Sequence, residues 1–333
     1  MIWCFQKPVP LWGLPLAVVA SLALCFCASI NLGAGLDNAL HQELRWLRSV
    51  AALMVGAALG VAGVMMQQIT RNNLAEPGLL GVNAGAALGV VTGLSFFAIE
   101  SSLAYLAAAF IGALAGKLCV LAIAQRQAQP QLHAASQAPM RLLLAGVALA
   151  ASFQGFSAAL LLRQANGLDQ YRFWILGSLA GVSPEMLWLA SPLILFALLA
   201  SLLMARPLAA LALGDDQARS LGHQPARSRL LLIIVTSLLT ASAVALAGPV
   251  AFLGLLAPFL ARMLLRTRTT SQASMAHLLV MAALCGASLM LLADIAARMV
   301  AIPFETPLSS MTACLGAPVL IWLARSNNVD SKS

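Results

Sequence analysis

The stretch that decides the fold is LLLIIVTSLLTASAVALAGPVAFLGLLAPFLARMLL, residues 230–265, which is apolar almost throughout. As a single helix it would be about 54 Å long, because an α-helix rises 1.5 Å per residue. The hydrocarbon core of a bilayer is only about 30 Å thick. Gly248 tolerates a turn and Pro249 lacks a backbone donor, so this pair predicts a break. The stretch therefore predicts two membrane helices.

Further apolar runs lie on both sides of this stretch, and each is long enough to cross a bilayer. They are residues 11–30, 49–69, 78–97, 103–124, 142–162, 186–205, 277–297 and 307–324. The 333 residues are 61% hydrophobic and only 9% charged, whereas a soluble domain is about 25% charged. We predict an all-α polytopic membrane protein with about ten transmembrane helices, built as one domain over residues 1–333.

The charged residues predict the orientation of the chain. A formal net charge of +8 would suggest nucleic acid for a soluble protein, but in a polytopic protein Lys and Arg concentrate in cytoplasmic loops. With the N-terminus cytoplasmic, thirteen Lys and Arg lie inside and five outside, namely Arg45, Arg48, Arg163, Arg172 and Arg298. This bias predicts cytoplasmic N- and C-termini and gives no reason to expect nucleic acid.

Two features of the sequence have unremarkable interpretations. The six cysteines show no metal-ligand spacing, so we interpret them as small apolar residues and expect no metal or cofactor. Lys7 and the apolar run after it resemble a signal peptide. No small-residue cleavage site closes that run, so a retained first helix is predicted.

Glycines recur every four residues within several apolar runs. This spacing aligns small residues on one helix face, where they allow close approach of two backbones in the membrane. The glycines are Gly56 and Gly60, then Gly81, Gly85 and Gly89, then Gly112 and Gly116. They predict a tightly packed bundle and carry no information about a substrate.

Residues 208–225 form an unusual polar connection between two spans. Asp215 and Asp216 follow Gly214, and Gly222 ends the segment, which predicts a short amphipathic helix with acidic residues at its N-terminus and a glycine C-cap. Such a helix can dock a cytoplasmic partner, or it can lie on the lipid surface. The residues alone leave both possibilities open.

Three other polar features carry alternatives of the same kind. Residues 67–81 predict a tight connection able to bond its own backbone. Arg45, Arg48 and Arg298 suit carboxylate partners at the outer face. Alternatively they reach lipid headgroups, or Arg298 pairs with Asp294 four residues earlier. Lys117 lies within a span, where it is either functional or a lysine that snorkels or pairs with a neighbouring helix.

The sequence lacks the motifs of the enzyme classes that we considered. Residues 112–118 look like a phosphate loop, but one residue is missing between the glycines and Leu118 stands where Ser or Thr is required. There is no Ser/His/Asp grouping on consistent faces, no HExxH motif and no pair of carboxylates in one span. We therefore predict a transport subunit rather than an enzyme, so any ATPase that drives it is another chain.

Taken together, the motifs resemble those of FecCD-type permeases, the membrane subunits of binding-protein-dependent ABC importers for ferric siderophores, haem and vitamin B12. The resemblance covers nearly the whole chain. Its anchors are residues 45–48 (RWLR), the glycines from Gly56 to Gly63 with Gln67, residues 71–86 (RNNLAEPGLLGVNAGA), residues 141–147 (RLLLAGV), residues 212–222, residues 248–258 (GPVAFLGLLAP), Asp294 with Arg298, and residues 316–319 (GAPV).

The resemblance implies a type II ABC importer fold and a set of partners. These are a second permease subunit, identical or paralogous, two cytoplasmic ATP-binding subunits and a periplasmic substrate-binding protein. The location implied is the bacterial inner membrane. Residues 169–174 with Gly177, Ser178 and Leu179 are most similar to ferric siderophore permeases of the enterobactin type. The expected cargo is an iron-siderophore complex, with vitamin B12 or haem as alternatives.

The resemblance also assigns roles to the polar segments. Arg45, Arg48 and Arg298 would receive acidic residues of the binding protein, and Asn72 and Leu74 would close the cytoplasmic gate. The short helix would be the coupling helix that seats in the ATPase, with Gly214, Asp215, Asp216, Ala218, Arg219, Leu221 and Gly222. A proton-coupled secondary transporter that uses Asp294 or Lys117 is the alternative from another class.

The sequence departs from the family pattern at three places. The usual Arg-Leu-Pro-Arg is RWLR at residues 45–48, so a proline that shapes the start of the helix is missing. The usual Asn-Pro-Leu is NNL at residues 72–74, which loosens the backbone of the expected gate. The usual Pro-His is Pro258 followed by Phe259.

Overall fold

A computed structural model describes residues 13–31, 39–79, 81–97, 99, 101–126, 134–162, 171–172, 174–266, 274–300 and 306–318. Side chains are described from residues 18, 44 and 144 onward in the first, second and fifth helices. Lys7, Arg163, Val319 and, in the enterobactin-like stretch, Asp169, Gln170 and Phe173 lie outside the described residues. Across these ranges the secondary structure is helical, and no strand occurs in them.

The helices follow one another along the chain with short connections. They are α1 (Gly13–Asn31), α2 (Ala39–Thr70), a 3₁₀ turn (Pro77–Leu79), α3 (Val82–Phe97), α4 (Ser102–Arg126), α5 (Ala134–Leu161), α6 (Pro184–Leu203), α7 (Ala205–Leu213), α8 (Asp215–Ser220), α9 (Pro225–Ala247), α10 (Leu253–Arg266), α11 (Met275–Met299) and α12 (308–318).

Every predicted apolar run contains a helix. Among the described residues, six helices are long and apolar enough to span a membrane, namely α2, α4, α5, α6, α9 and α11. Shorter apolar segments lie in α1, α3 and α10. The all-helical membrane fold is therefore confirmed, and the count of about ten spans stays a prediction.

The break predicted at Gly248 and Pro249 is present. α9 ends at Ala247, and Gly248 has a φ of 71°, a left-handed conformation that glycine adopts without a steric penalty. Residues 248–252 then form a non-helical segment before α10 begins at Leu253. α10 has only 14 residues, or about 21 Å of helix. The second half of the deciding stretch is therefore shorter than a full span.

The glycines mark helix crossings, as their spacing predicted. α2 is the central helix and packs against α9, α10 and α11, while α3 packs along α4. A Cβ added to Gly56 on α2 would collide with the carbonyl oxygen of Gly286 on α11. On α3, a Cβ at Gly85 would likewise collide with the carbonyl oxygen of Gly112 on α4. These backbones are in direct contact, so the bundle is tightly packed.

α2 is longer than the apolar run of residues 49–69. It begins at Ala39, so Arg45 and Arg48 lie within the helix. Both arginines therefore project from the helix itself, three residues apart. This spacing places them on the same side of α2. The RWLR motif lacks the usual proline, and α2 continues through the motif without a break.

Candidate functional site

Arg48 and Arg298, two of the three arginines predicted to lie at the outer face, form a buried ionic cluster with Asp294. Arg48 Nε on α2 donates to Asp294 Oδ1 on α11 at 2.6 Å, and Arg298 Nη2 donates to Asp294 Oδ2 at 2.7 Å. The side chain of Asp294 is fully buried, and those of Arg48 and Arg298 are each only 9% exposed. Short, charge-assisted bonds of this kind are among the strongest in proteins. The carboxylate thus joins α2 to α11.

Serine side chains extend this cluster to α1. Arg298 Nη1 donates to the carbonyl oxygen of Ser29 at 3.0 Å, and its Nη2 donates to Ser29 Oγ at 2.6 Å. Ser29 Oγ also lies 2.7 Å from Ser49 Oγ, and Ser49 donates to the carbonyl oxygen of Arg45 at 2.8 Å. Three helices are therefore held at one point, and Arg48, Arg298 and Asp294 together carry a net charge of +1.

This arrangement contains one of the alternatives that the sequence left open for the three arginines. The pairing of Arg298 with Asp294 at four-residue spacing is present. The pairing of Arg48 with Asp294, 246 residues away in sequence, had no signal in the sequence, and neither did Ser29. Arg45 is partly buried next to the cluster, and the docking role of the three arginines stays a prediction.

At the opposite end of the bundle, α7 and α8 form the polar connection between α6 and α9. α8 is capped by a Schellman motif, in which Gly222 donates to the carbonyl of Arg219 and His223 to that of Ala218, both at 2.9 Å. Gly222 has a φ of 81°. The predicted short helix with a glycine C-cap is therefore present.

The faces of α8 are sharply divided. Ala218 is completely buried, whereas Leu221 is 60% exposed. The side chains of Asp216 and Arg219 are 98% and 67% exposed and lie 3.4 Å apart, a weak surface pair. Asp216, Arg219 and Leu221 therefore face away from the bundle, whereas Ala218 packs into it.

Asp215 does not share that exposed face. Its side chain is only 17% exposed and accepts from Arg71 Nη2 at 2.8 Å and from Arg229 Nη2 at 2.9 Å. Arg71 also donates to the carbonyl oxygen of Leu211, in the last turn of α7, at 3.2 Å. The acidic residue that was predicted at the start of α8 therefore ties this helix to α2 and α9.

The connection after α2 bonds its own backbone, as its composition predicted. Arg71 has a φ of 51°, an uncommon value for a residue with a side chain. Asn72 Oδ1 accepts from the N–H of Leu74 at 2.9 Å, and both residues are exposed. Asn72 and Leu74 thus form a compact polar turn at the end of α2, which is where the gate was predicted.

The same connection then folds back into the bundle. Glu76 Oε1 accepts from the backbone N–H of Phe252, the residue before α10, at 2.7 Å. Burial raises the pKa of the Glu76 carboxyl, and the bond from Phe252 partly opposes that rise. Arg262 Nη2 on α10 donates to Gln67 Oε1 on α2 at 2.6 Å. The sequence did not predict these two contacts, which fix α10 against the end of α2.

Lys117 on α4 is 2% exposed, and among the described residues its Nζ has no hydrogen-bond partner. The described cysteines lie within helices. In the part of the chain that the structure describes, no group of three His, Cys, Asp or Glu side chains could hold a metal ion.

Comparison with known proteins identifies a family and a fold. The model of the FecCD transport family matches residues 14–326. The ferric enterobactin transport system permease protein FepD of Escherichia coli K12 is 40% identical over 313 residues, which cover 94% of this chain and 88% of FepD. The vitamin B12 import system permease protein BtuC of Vibrio cholerae is 38% identical, covering 88% of this chain and 85% of BtuC.

A solved structure has the same architecture. It is a metal-chelate type ABC transporter in an inward-facing conformation, with a TM-score of 0.81 and 28% sequence identity. The match covers 94% of this chain and 98% of that one. The helical arrangement described above is therefore that of an ABC transporter membrane subunit.

Proposed function

Because the chain belongs to the FecCD transport family, we propose that it imports a ferric siderophore of the catecholate (enterobactin) type as the permease subunit of an ABC importer. It is a membrane transport component of the bacterial inner membrane rather than an enzyme. The observation that carries the substrate class is the 40% identity to FepD over 94% of the chain. The 38% identity to BtuC makes vitamin B12 the second candidate.

The proposed assembly has two permease subunits, two cytoplasmic ATP-binding subunits and a periplasmic substrate-binding protein. The N- and C-termini lie in the cytoplasm, an orientation supported by the excess of Lys and Arg on that side. The exposed face of α8, with Asp216, Arg219 and Leu221, supports an ATPase contact there.

The proposed mechanism is alternating access. ATP binding in the partner subunits moves α8, the gate at Asn72 and Leu74 changes state, and the pathway switches sides. The loaded binding protein docks at Arg45, with Arg48 and Arg298 behind it, and releases its cargo into the pathway. A switch of this kind requires each partner to contact the two states differently, and α8 and the outer arginines are the surfaces on which those contacts would differ.

The substrate is tested with the complete importer in proteoliposomes. Radiolabelled ferric enterobactin should accumulate when ATP is supplied on the ATPase side, and excess cyanocobalamin should not compete. Competition by cyanocobalamin would favour vitamin B12. Accumulation that persists without ATP and follows a proton gradient would instead favour the secondary transporter.

The docking surface is tested by reversing one charge outside the buried cluster. Arg45→Glu should abolish capture of the loaded binding protein in a pull-down and leave ATPase association intact. Reversal of Arg48 or Arg298 is less informative on its own, because a new carboxylate beside Asp294 would also disrupt the cluster. Unchanged capture by Arg45→Glu would argue against docking at these arginines.

The coupling role of α8 is tested on its two faces. Ala218→Pro breaks the helix and should abolish ATP-driven uptake. Leu221→Glu leaves the backbone intact, places a charge on the exposed apolar spot and should weaken co-purification of the ATPase. Normal uptake by both variants would exclude α8 as the ATPase contact.

A further inference from the structure

Among the described ion pairs, the contacts of Asp215 are the ones that join the short helix α8 to two membrane helices. α8 has six residues, and a helix of that length is not stable alone. Its position is therefore set by what it contacts. Asp215, its first residue, bonds to Arg71 at the end of α2 and to Arg229 in the first turns of α9.

The bond to Arg71 reaches the predicted gate directly. Arg71 immediately precedes Asn72, and its left-handed φ of 51° is the point at which the chain leaves α2. Its backbone N–H donates to the carbonyl of Gln68 at 3.3 Å, so the turn is part of the helix end. The guanidinium of Arg71 also holds the carbonyl oxygen of Leu211. A displacement of α8 would therefore move Arg71, the residue at which the chain turns from α2 into the predicted gate at Asn72 and Leu74.

The bond to Arg229 connects Asp215 to a helix that packs inside the bundle. Arg229 donates to both oxygens of Asp215, at 2.9 and 3.3 Å. It belongs to α9, which packs against α2, α4 and α6. One carboxylate thus connects α8 to the helix that ends at the gate and to the helix that lines the core.

We propose that Asp215 is a positioning residue that transmits the movement of α8 to the gate at the end of α2 through Arg71 and to α9 through Arg229. It does not contact the ATPase. The three side chains, which we name the relay triad, move as one unit when α8 is displaced. This proposal rests on the proposed function, because it gives the triad a role within ATP-driven import.

The triad has the exposure that a relay needs. The side chains of Asp215, Arg229 and Arg71 are 17%, 26% and 44% exposed. A fully buried cluster would be fixed, and a fully exposed pair would be too weak to transmit force. Two arginines bonded to one partly shielded carboxylate hold α8 to both helices, so the three side chains can shift together when α8 moves.

The test uses the complete importer in proteoliposomes and measures two quantities, ATP hydrolysed and ferric enterobactin imported. Asp215→Asn and Arg71→Gln should each retain the ATPase and its hydrolysis but lower import per ATP by about fivefold or more, the range of ordinary coupling between sites. The double variant should be no worse than either single variant. Asp215→Glu, which keeps the charge, should restore most of the coupling.

The chain offers a matched control in the first turn of α9. Arg227 is exposed and two residues from Arg229, so Arg227→Gln removes the same charge outside the triad and should leave import per ATP unchanged. If Asp215→Asn does not reach the membrane, Arg71→Lys serves in its place. It keeps the positive charge, but a single ammonium replaces the fork that holds Asp215 and Leu211 together, so partial uncoupling is expected.

Three results would overturn the proposal. Unchanged import per ATP in both single variants would remove the relay, and additive losses in the double variant would show that the two residues act separately. Loss of the ATPase from the Asp215→Asn complex would make Asp215 a docking residue. Failure of the proposed function is distinguishable, since the wild-type importer itself would then not accumulate ferric enterobactin.

Discussion

Replacement of Asp294 by asparagine should destabilise the protein more than any other isosteric change of a described carboxylate. The carboxylate is fully buried and accepts bonds of 2.6 and 2.7 Å from two arginines whose side chains are 9% exposed. Asparagine has nearly the same shape but no charge. It leaves two buried guanidinium groups beside each other, and its amide nitrogen cannot accept a bond from either.

The magnitude follows from the geometry. Removing one member of a buried ion pair costs about 3–5 kcal/mol, because the remaining charge stays buried without compensation. Here two cations lose their partner, so the loss in free energy of unfolding should lie at the upper end, about 5 kcal/mol. The hydrogen bonds from Arg298 to Ser29 do not involve Asp294 and remain, so the loss in free energy of unfolding should not exceed about 5 kcal/mol.

The assay is reversible unfolding of the purified protein in mixed micelles, with Asp216→Asn as the control. The Asp216 side chain is 98% exposed, so its variant should unfold like the wild type. A second comparison is Arg48→Met combined with Asp294→Asn, which removes one cation together with the anion and should recover part of the loss. A loss below about 1 kcal/mol for Asp294→Asn, the scale of an exposed pair, would refute the view that this cluster holds α1, α2 and α11 together.

Three further predictions concern packing, backbone and ionisation. Gly56→Ala should cost about 1–3 kcal/mol of unfolding free energy in the same assay, because its Cβ meets Gly286, whereas Gly155→Ala, with nothing within 4 Å, should cost nothing. Gly248→Ala should lower the melting temperature more than Gly222→Ala. Both glycines have a positive φ, but only the first would also collide with the carbonyl of Trp174. Glu76→Gln should raise the melting temperature at neutral pH, and the gain should vanish in acid. The pKa of Glu76 is raised on folding, so the folded state binds more protons than the unfolded state. It therefore loses stability as the pH rises from the ordinary pKa of a glutamate through the raised pKa.

Much of the fold could be predicted from the sequence, because it depends on local composition. The length of an apolar run fixes whether it can form a membrane helix, and Gly248 with Pro249 fixes where a run must break. The glycine spacing on α2, α3 and α4 predicted close helix crossings without naming the partner helix. That Gly56 meets Gly286 depends on how the helices are arranged in the bundle, and periodicity within one helix contains no such information.

The polar contacts divide in the same way. The Schellman cap at Gly222 and the Asx-type turn from Asn72 to Leu74 lie within a few residues of sequence, so residue types were enough to predict compact, capped segments. The bonds from Arg48 to Asp294 and from Arg71 to Asp215 join residues 246 and 144 positions apart. They became visible only with the helix arrangement, which also turns the side chain of Asp215 toward Arg71 and Arg229.

The two arginine clusters differ in a way that bears on which face of the protein can move. One is the cluster around Asp294 and the other is the relay triad, and each joins one carboxylate to two guanidinium groups. The arginine side chains are 9% exposed in the cluster around Asp294, and they are 26% and 44% exposed in the relay triad. Salt largely screens exposed charges that are farther apart than the Debye length, which falls from about 10 Å at 0.1 M to about 3 Å at 1 M ionic strength, and it affects buried pairs far less. Raising the salt concentration should therefore weaken the ion pairs of the triad and leave those of the cluster around Asp294 intact. Opening the cluster around Asp294 would strand buried charges, a cost that is smaller for the more exposed side chains of the triad. The cluster around Asp294 thus acts as a fixed clamp on α1, α2 and α11, and rearrangement of the helices should cost less at the opposite end of the bundle, where α8 lies.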